Sequence, residues 1–170
     1  MLGAGIEGEI MMRKSVITPA AGATASTHDE WLDLEQIARV EISSEDVNFP
    51  IEHALGKTPT TGWRAAGTGP QVVRLHFDEA RDIRRIQLHF VERAAERSQE
   101  FAIYAGSGAE VREVVRQQWS FSPGGSTEEV EDYNVNLHGV TVLELRIDPD
   151  RSHDPKASRN YASLQSLKLA

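Results

Sequence analysis

Residues 71–77 read QVVRLHF and residues 82–90 read DIRRIQLHF. In the first run Val73, Leu75 and Phe77 alternate with Arg74 and His76; in the second Ile86, Leu88 and Phe90 alternate with Arg85, Gln87 and His89. A two-residue period puts the apolar set on one face of an extended chain and the polar set on the other. Each run therefore reads as a half-buried strand, and residues 80–82 between them predict a hairpin with one wet face. The period recurs in Phe101, Ile103 and Ala105, in Tyr133, Val135 and Leu137, and in Leu143, Leu145 and Ile147 against Glu144 and Arg146. Turn residues separate the runs at 67–70, 106–109, 123–126, His138-Gly139 and the polar stretch 148–160. Val114 and Val115 break the alternation and predict a bulge or a strand that changes sheet. About eight or nine short strands, each with one apolar face, bury those faces by packing two sheets together. The predicted fold is all-β, a jelly-roll β-sandwich with a short irregular or helical N-terminal lead-in.

The composition agrees with that reading. The chain has 170 residues, 39% of them hydrophobic, with 26 acidic and 18 basic side chains and a formal charge of -8. This is enough apolar material for one core. The absence of cysteine excludes disulfides, thiolate metal sites and a thiol nucleophile. The net negative charge and the lack of a basic block argue against nucleic acid and anionic membranes as partners. No apolar run has the length of a membrane span. The first residues lack the charge order of a signal peptide, so a cytoplasmic product is expected. Residues 1–27, rich in Gly, Ala, Ser and Thr, read as a flexible segment, and residues 28–170 as the domain. Thr27 and Glu30 have capping-box spacing ahead of Trp31, Leu32 and Leu34, which allows a turn or two of helix.

Several motifs dissolve on inspection. Gly3-Ala4-Gly5-Ile6-Glu7-Gly8 has dinucleotide-fingerprint lettering but no strand before it. Gly106-Ser107-Gly108 has hairpin-turn chemistry rather than that of a nucleophile elbow. The six histidines lack metal-pair spacing. Glu128, Glu129, Glu131 and Asp132 read as a solvated acidic loop, with calcium as the other use of such oxygens. No nucleophile, base and orienter assemble from the chain order, so no catalysis is expected.

Binding residues are expected on loops. If successive strands run antiparallel, the connections 91–98, 122–129 and 148–160 share one end of the sandwich. That end offers Glu92, Arg93, Arg97, His153, Asp154, Arg159 and Tyr161. His53 lies in the other long irregular segment. Trp63 and Arg64 follow the turn-rich stretch 56–62, where Trp63 either closes the sandwich end or offers its face to a ligand. A sugar presents apolar C–H faces and hydroxyl edges, and so suits an exposed aromatic plane beside forked donors and acceptors. In this reading Trp63 or Tyr161 stacks while Arg97, His153 and Asp154 hydrogen-bond.

The order of these pieces resembles the discoidin or F5/8 type C family, among the galactose-binding-like sandwiches that include the family 32 carbohydrate-binding modules. The resemblance runs from 38 to 170. It is carried by Val40-Glu41-Ile42-Ser43-Ser44-Glu45, Thr60-Thr61-Gly62-Trp63-Arg64-Ala65, the strands at 71–77 and 82–90, Gln99-Glu100-Phe101-Ala102-Ile103-Tyr104, and Ala162-Ser163-Leu164-Gln165-Ser166-Leu167. It implies an eight-stranded jelly roll, no catalysis, and loops at one end, joined by 46–62, that bind glycans, lipid head groups or proteins. Members often hold a structural calcium through an Asp-Gly pair and a Glu opening the last strand; here Leu55 precedes Gly56 and Ser166 takes the place of that Glu. Residues 57–66 also resemble the N-terminal scaffold domain of the X-ray repair cross-complementing type. The expected function is non-catalytic recognition of a sugar or polyol, with a cytoplasmic protein-interaction scaffold as the alternative.

Overall fold

The computed structural model describes residues 30–58, 60–154 and 160–170. The expected flexible segment 1–27 and the Thr27 cap lie outside them. Two short helices, α1 (Leu34–Ile37) and α2 (Glu52–Leu55), flank β1 (Ala38–Ile42). There follow β2 (Trp63–Thr68), β3 (Gln71–Val91), β4 (Arg97–Ser107), β5 (Glu110–Phe121), β6 (Glu128–Asp148), β7 (Tyr161–Leu164) and β8 (Ser166–Leu169). All strand pairings are antiparallel. One sheet has the order β1-β3-β6-β4-β5 with β8 on β3, and β2 pairs with β7 in a second. This is the all-β jelly-roll sandwich that the alternation predicts, with the eight strands that the resemblance implies.

The hairpin expected at 80–82 does not exist. β3 continues through it for 21 residues and pairs along nearly its whole length with β6, also 21 residues long. The register shifts between His76 and Arg81, again before Ile83, and again before Arg85. Those irregularities change the phase of the period. Val73, Leu75 and Phe77 point inward on odd positions, whereas Ile86, Leu88 and Phe90 do so on even ones, and all six are buried. A phase change in an apolar period marks either a turn or a bulge, and here it is a bulge. His138-Gly139, likewise expected to separate two strands, lies within β6. Gly139 takes φ +63° there and donates its N–H to Asp82 Oδ1 at 3.0 Å, which ties the two irregularities together.

The bulges let β3 and β6 serve two layers. The first half of β3 lies between β1 and the end of β6, while its second half lies between β8 and the start of β6. Phe90, from the second half, stacks on Phe101 of β4 with ring centroids 5.2 Å apart, which joins the layers across the core. The β4–β5 pairing passes from Ile103↔Val115 to Tyr104↔Glu113, leaving Val114 as the extra residue of a bulge, as its sequence position predicts.

The acidic cluster also departs from expectation. Because β6 begins at Glu128, its alternation divides the cluster between two faces. Glu128 and Asp132 point outward to Arg93 and Arg85. Glu129 pairs with Phe90 in the ladder and is only 1% exposed, with neither carboxyl oxygen hydrogen-bonded. Burial, reinforced by the Glu131 carboxyl, pushes its pKa up to about 8.

A carboxyl that stays protonated in the folded state up to about pH 8, but ionises at its ordinary value when unfolded, makes stability fall as pH rises through that window. Glu129→Gln should therefore flatten the pH dependence of the melting temperature between about pH 5 and pH 8 and raise stability by roughly 1–3 kcal/mol at the upper end. Thermal melts of both proteins across this range check it; parallel curves would refute the assignment.

Candidate functional site

Hydrogen bonds knit three connections into one rim. The Glu92 N–H donates to Thr127 O at 2.8 Å, and the Arg151 N–H donates to Ser98 O at 2.8 Å. Between them Arg97 donates from Nη1 to Pro149 O at 2.9 Å and from Nη2 to Glu92 Oε2 at 3.0 Å. The other Glu92 oxygen accepts the N–H groups of Ala94 and Ala95, at 3.0 and 2.7 Å, which shapes the short β3–β4 loop. The three connections predicted to share an end therefore do so.

This geometry revises the role of Arg97. Its side chain is 1% exposed, and its guanidinium is committed to Glu92 and Pro149 while lying over the Phe121 ring. Desolvation pulls its pKa below the usual arginine value, yet arginine remains charged at any ordinary pH. Arg97 is the clamp beneath the rim rather than a hydrogen-bonder facing a ligand.

A cleft of about 690 Å³ opens between the β2–β7 pair and residues 92–95. Alternation along the two strands decides what faces it. Trp63 pairs with Leu164, and the adjacent Arg64 with Ser163 on the other face. Trp63 is consequently 1% exposed, a floor for the cleft, with Nε1 donating to Ser44 O at 3.2 Å. It plugs the sandwich and offers no plane for stacking. Gly62, at φ +72°, makes this approach feasible, because a Cβ there would meet Leu164 O at 2.6 Å.

The open aromatic is Tyr161, 38% exposed on the wall of the cleft. Arg64 reaches across with its guanidinium 4.3 Å from the Phe49 ring centroid. Arg93 stands at the mouth, 71% exposed and 3.2 Å from Glu128. Arg93 and His89 hold the Glu128 carboxyl below the usual range. His53 lies on α2 instead of an irregular segment, and its Nδ1 is 2.8 Å from the hydroxyl of Thr61, which lines the cleft.

The remaining candidates lie elsewhere. Asp154 borders a separate hollow of about 520 Å³ with Asp150, Ser98, Ser120 and Ser152, and Arg97 lies beneath it. His153, at φ +49°, bonds Asp148 Oδ2 at 2.7 Å and lines neither hollow. Arg159 falls outside the described residues. Phe49, Asn160, Ser163 and Gln165 line the cleft without having been singled out in the sequence. The signal for the last two was present: Tyr161, Ser163 and Gln165 alternate with the buried Ala162 and Leu164.

No protein-family model matches the sequence, and no curated protein matches it. Solved structures do. The CBM32 of AlyQ in complex with 4,5-unsaturated mannuronic acid shares 19% identity at a TM-score of 0.57, covering 79% of this chain and 95% of that one. A CBM32 domain from Clostridium perfringens in complex with GalNAc-β-1,3-galactose shares 12% identity at a TM-score of 0.59, covering 82% and 98%. Reduced XRCC1 bound to the DNA pol beta catalytic domain shares 16% identity at a TM-score of 0.55, covering 79% and 96%. The fold is the galactose-binding-like sandwich.

The structural calcium that the resemblance raises does not fit the residues here. Leu55 is 6% exposed in the core, and Ser166 is likewise buried in β8, so neither position supplies a carboxylate. Among the described residues no group of three or more His, Asp or Glu side chains is arranged to hold a metal.

The clamp and the platform should separate on mutation. Arg97→Ala leaves the Glu92 carboxylate partly buried without its cation and should destabilise the fold by about 3 kcal/mol or more. Tyr161→Ala, at an exposed position, should stay within about 0.5–1 kcal/mol of the parent. Urea unfolding of the two variants measures both; an unaffected Arg97→Ala would remove the clamp from this account.

Proposed function

We propose that the chain is a non-catalytic carbohydrate-binding module whose ligand sits in the cleft beside Tyr161. The observation carrying this reading is an exposed aromatic surrounded by hydroxyl-reading groups, on a fold shared with two structures that hold sugars. The Tyr161 ring supplies an apolar surface for the C–H face of a pyranose. Thr61, Ser163, Asn160, Gln165, Arg64 and Arg93 supply donors and acceptors for its hydroxyl edge. Trp63, Leu164 and the clamped loop form a largely rigid base, which keeps the cost of ordering a small ligand low.

The cleft's chemistry favours binding over turnover. Sugar hydrolysis calls for two carboxyl groups flanking the scissile bond. Glu92 is the carboxylate that lines the cleft, and both its oxygens are engaged by Ala94, Ala95 and Arg97.

Calorimetric titration with a panel of mono- and oligosaccharides at millimolar concentration tests the proposal. A saturable heat that falls about tenfold in affinity for Tyr161→Ala, with the melting temperature shifted by only about a few degrees, is expected. No heat with any sugar would overturn it.

A further inference from the structure

The cleft's charge runs against that of the chain. The protein carries a formal charge of -8, yet the cleft is lined by two arginines, Arg64 and Arg93, and by one carboxylate, Glu92, which the buried Arg97 already neutralises. Of the two arginines, Arg93 has a carboxylate partner in Glu128. Arg64 has none: among the described residues its guanidinium makes no ion pair and no side-chain hydrogen bond, a state it shares with arginines 81, 84 and 112, none of which lines the cleft, whereas arginines 39, 74, 85, 93, 97, 116, 146 and 151 are paired with acidic groups. A guanidinium with no counter-charge on a cleft wall can take an anionic group from a ligand.

The Arg64 fork is also held in place. Its backbone is fixed twice, by N–H donation to Phe49 O at 3.1 Å and by acceptance from the Asp46 N–H at 2.8 Å. Its guanidinium lies over the Phe49 ring, an arrangement that satisfies one face of the cation while leaving the N–H edge free. A planar, pre-oriented fork matches the two oxygens of a carboxylate, and such charge-assisted pairs are stronger than hydrogen bonds between neutral groups.

Resting on the carbohydrate reading above, we infer that the cleft selects acidic sugars, and that Arg64 is the specificity-determining residue, its guanidinium receiving the carboxylate of a uronic acid residue. The sugar ring lies against Tyr161. Arg93, at the mouth, is already paired with Glu128, so the uncompensated charge of the cleft rests on Arg64. Neutral sugars lack the carboxylate and engage the fork only through hydroxyl oxygens, which accept weaker hydrogen bonds than a charged pair.

Paired titrations distinguish this inference from the reading on which it rests. Galacturonate, glucuronate and mannuronate are each compared with galactose, glucose and mannose, by calorimetry at low ionic strength and again at 0.5 M salt. At least one uronate should bind roughly tenfold tighter than its neutral counterpart. That preference should shrink in high salt, since a partly exposed charge pair is screened while ring stacking is not. Arg64→Ala should abolish the preference, costing the uronate about tenfold and its neutral counterpart distinctly less, and Arg64→Lys should restore only part of it, because an ammonium keeps the charge and loses the fork. Equal affinity for acid and neutral forms, or an Arg64→Ala loss shared equally by both, would overturn the inference and leave the carbohydrate reading standing. Absence of binding by all six sugars would remove both.

Discussion

Two long strands that change layer part-way govern this architecture. The apolar faces of β3 and β6 must remain inside while each strand passes, within one sheet, from the layer of β1 to the layer of β8. The paired irregularities near Arg81 and Gly139 shift the phase, so that Val73, Leu75 and Phe77 and then Ile86, Leu88 and Phe90 all enter the same core. The Asp82–Gly139 bond sits where the two strands bend together. The strands thereby end at a common rim, from which the β3–β4 loop and the segment after β6 emerge.

The rim is consolidated from beneath by charge rather than by apolar contact. Arg97 is buried with Glu92 and a backbone carbonyl as partners, and a buried guanidinium is tolerated only when its partners are well placed. The same arrangement withdraws Glu92 from reactivity and leaves the adjoining cleft net cationic. A structural ion pair thus sets the electrostatics of the surface above it. Glu129, by contrast, occupies the core without a cation and stays neutral through desolvation, which makes the sandwich lose stability as pH rises from about 5 to about 8.

Much of this was legible in the sequence. Strand faces, the β4–β5 hairpin, the Val114 bulge and the grouping of three connections follow from period-two patterning and turn residues. The continuity of β3 was not, because a turn and a bulge leave the same phase shift in one strand, and only the matching length of β6 separates them. The burial of Trp63 depends on its pairing with Leu164, a contact between residues about a hundred positions apart that no local pattern records. Arg97 and Arg93 look alike in sequence; the Pro149 carbonyl and Glu92 make one a clamp and leave the other exposed. Ser163 and Gln165 were readable from the alternation after Tyr161, since the intervening Ala162 and Leu164 point inward.

The central claim is that a sugar lies against Tyr161 with its polar edge toward Arg64. A two-dimensional NMR titration that follows backbone amides together with arginine Nε–H signals locates the ligand without presupposing it. Addition of a uronic acid should shift the Arg64 Nε–H and the amides of Tyr161, Ser163 and Gln165 in one saturable step, with the Arg97 Nε–H undisturbed. Shifts concentrated instead at Ser120, Ser122 and Ser152, around the neighbouring hollow, would contradict the account.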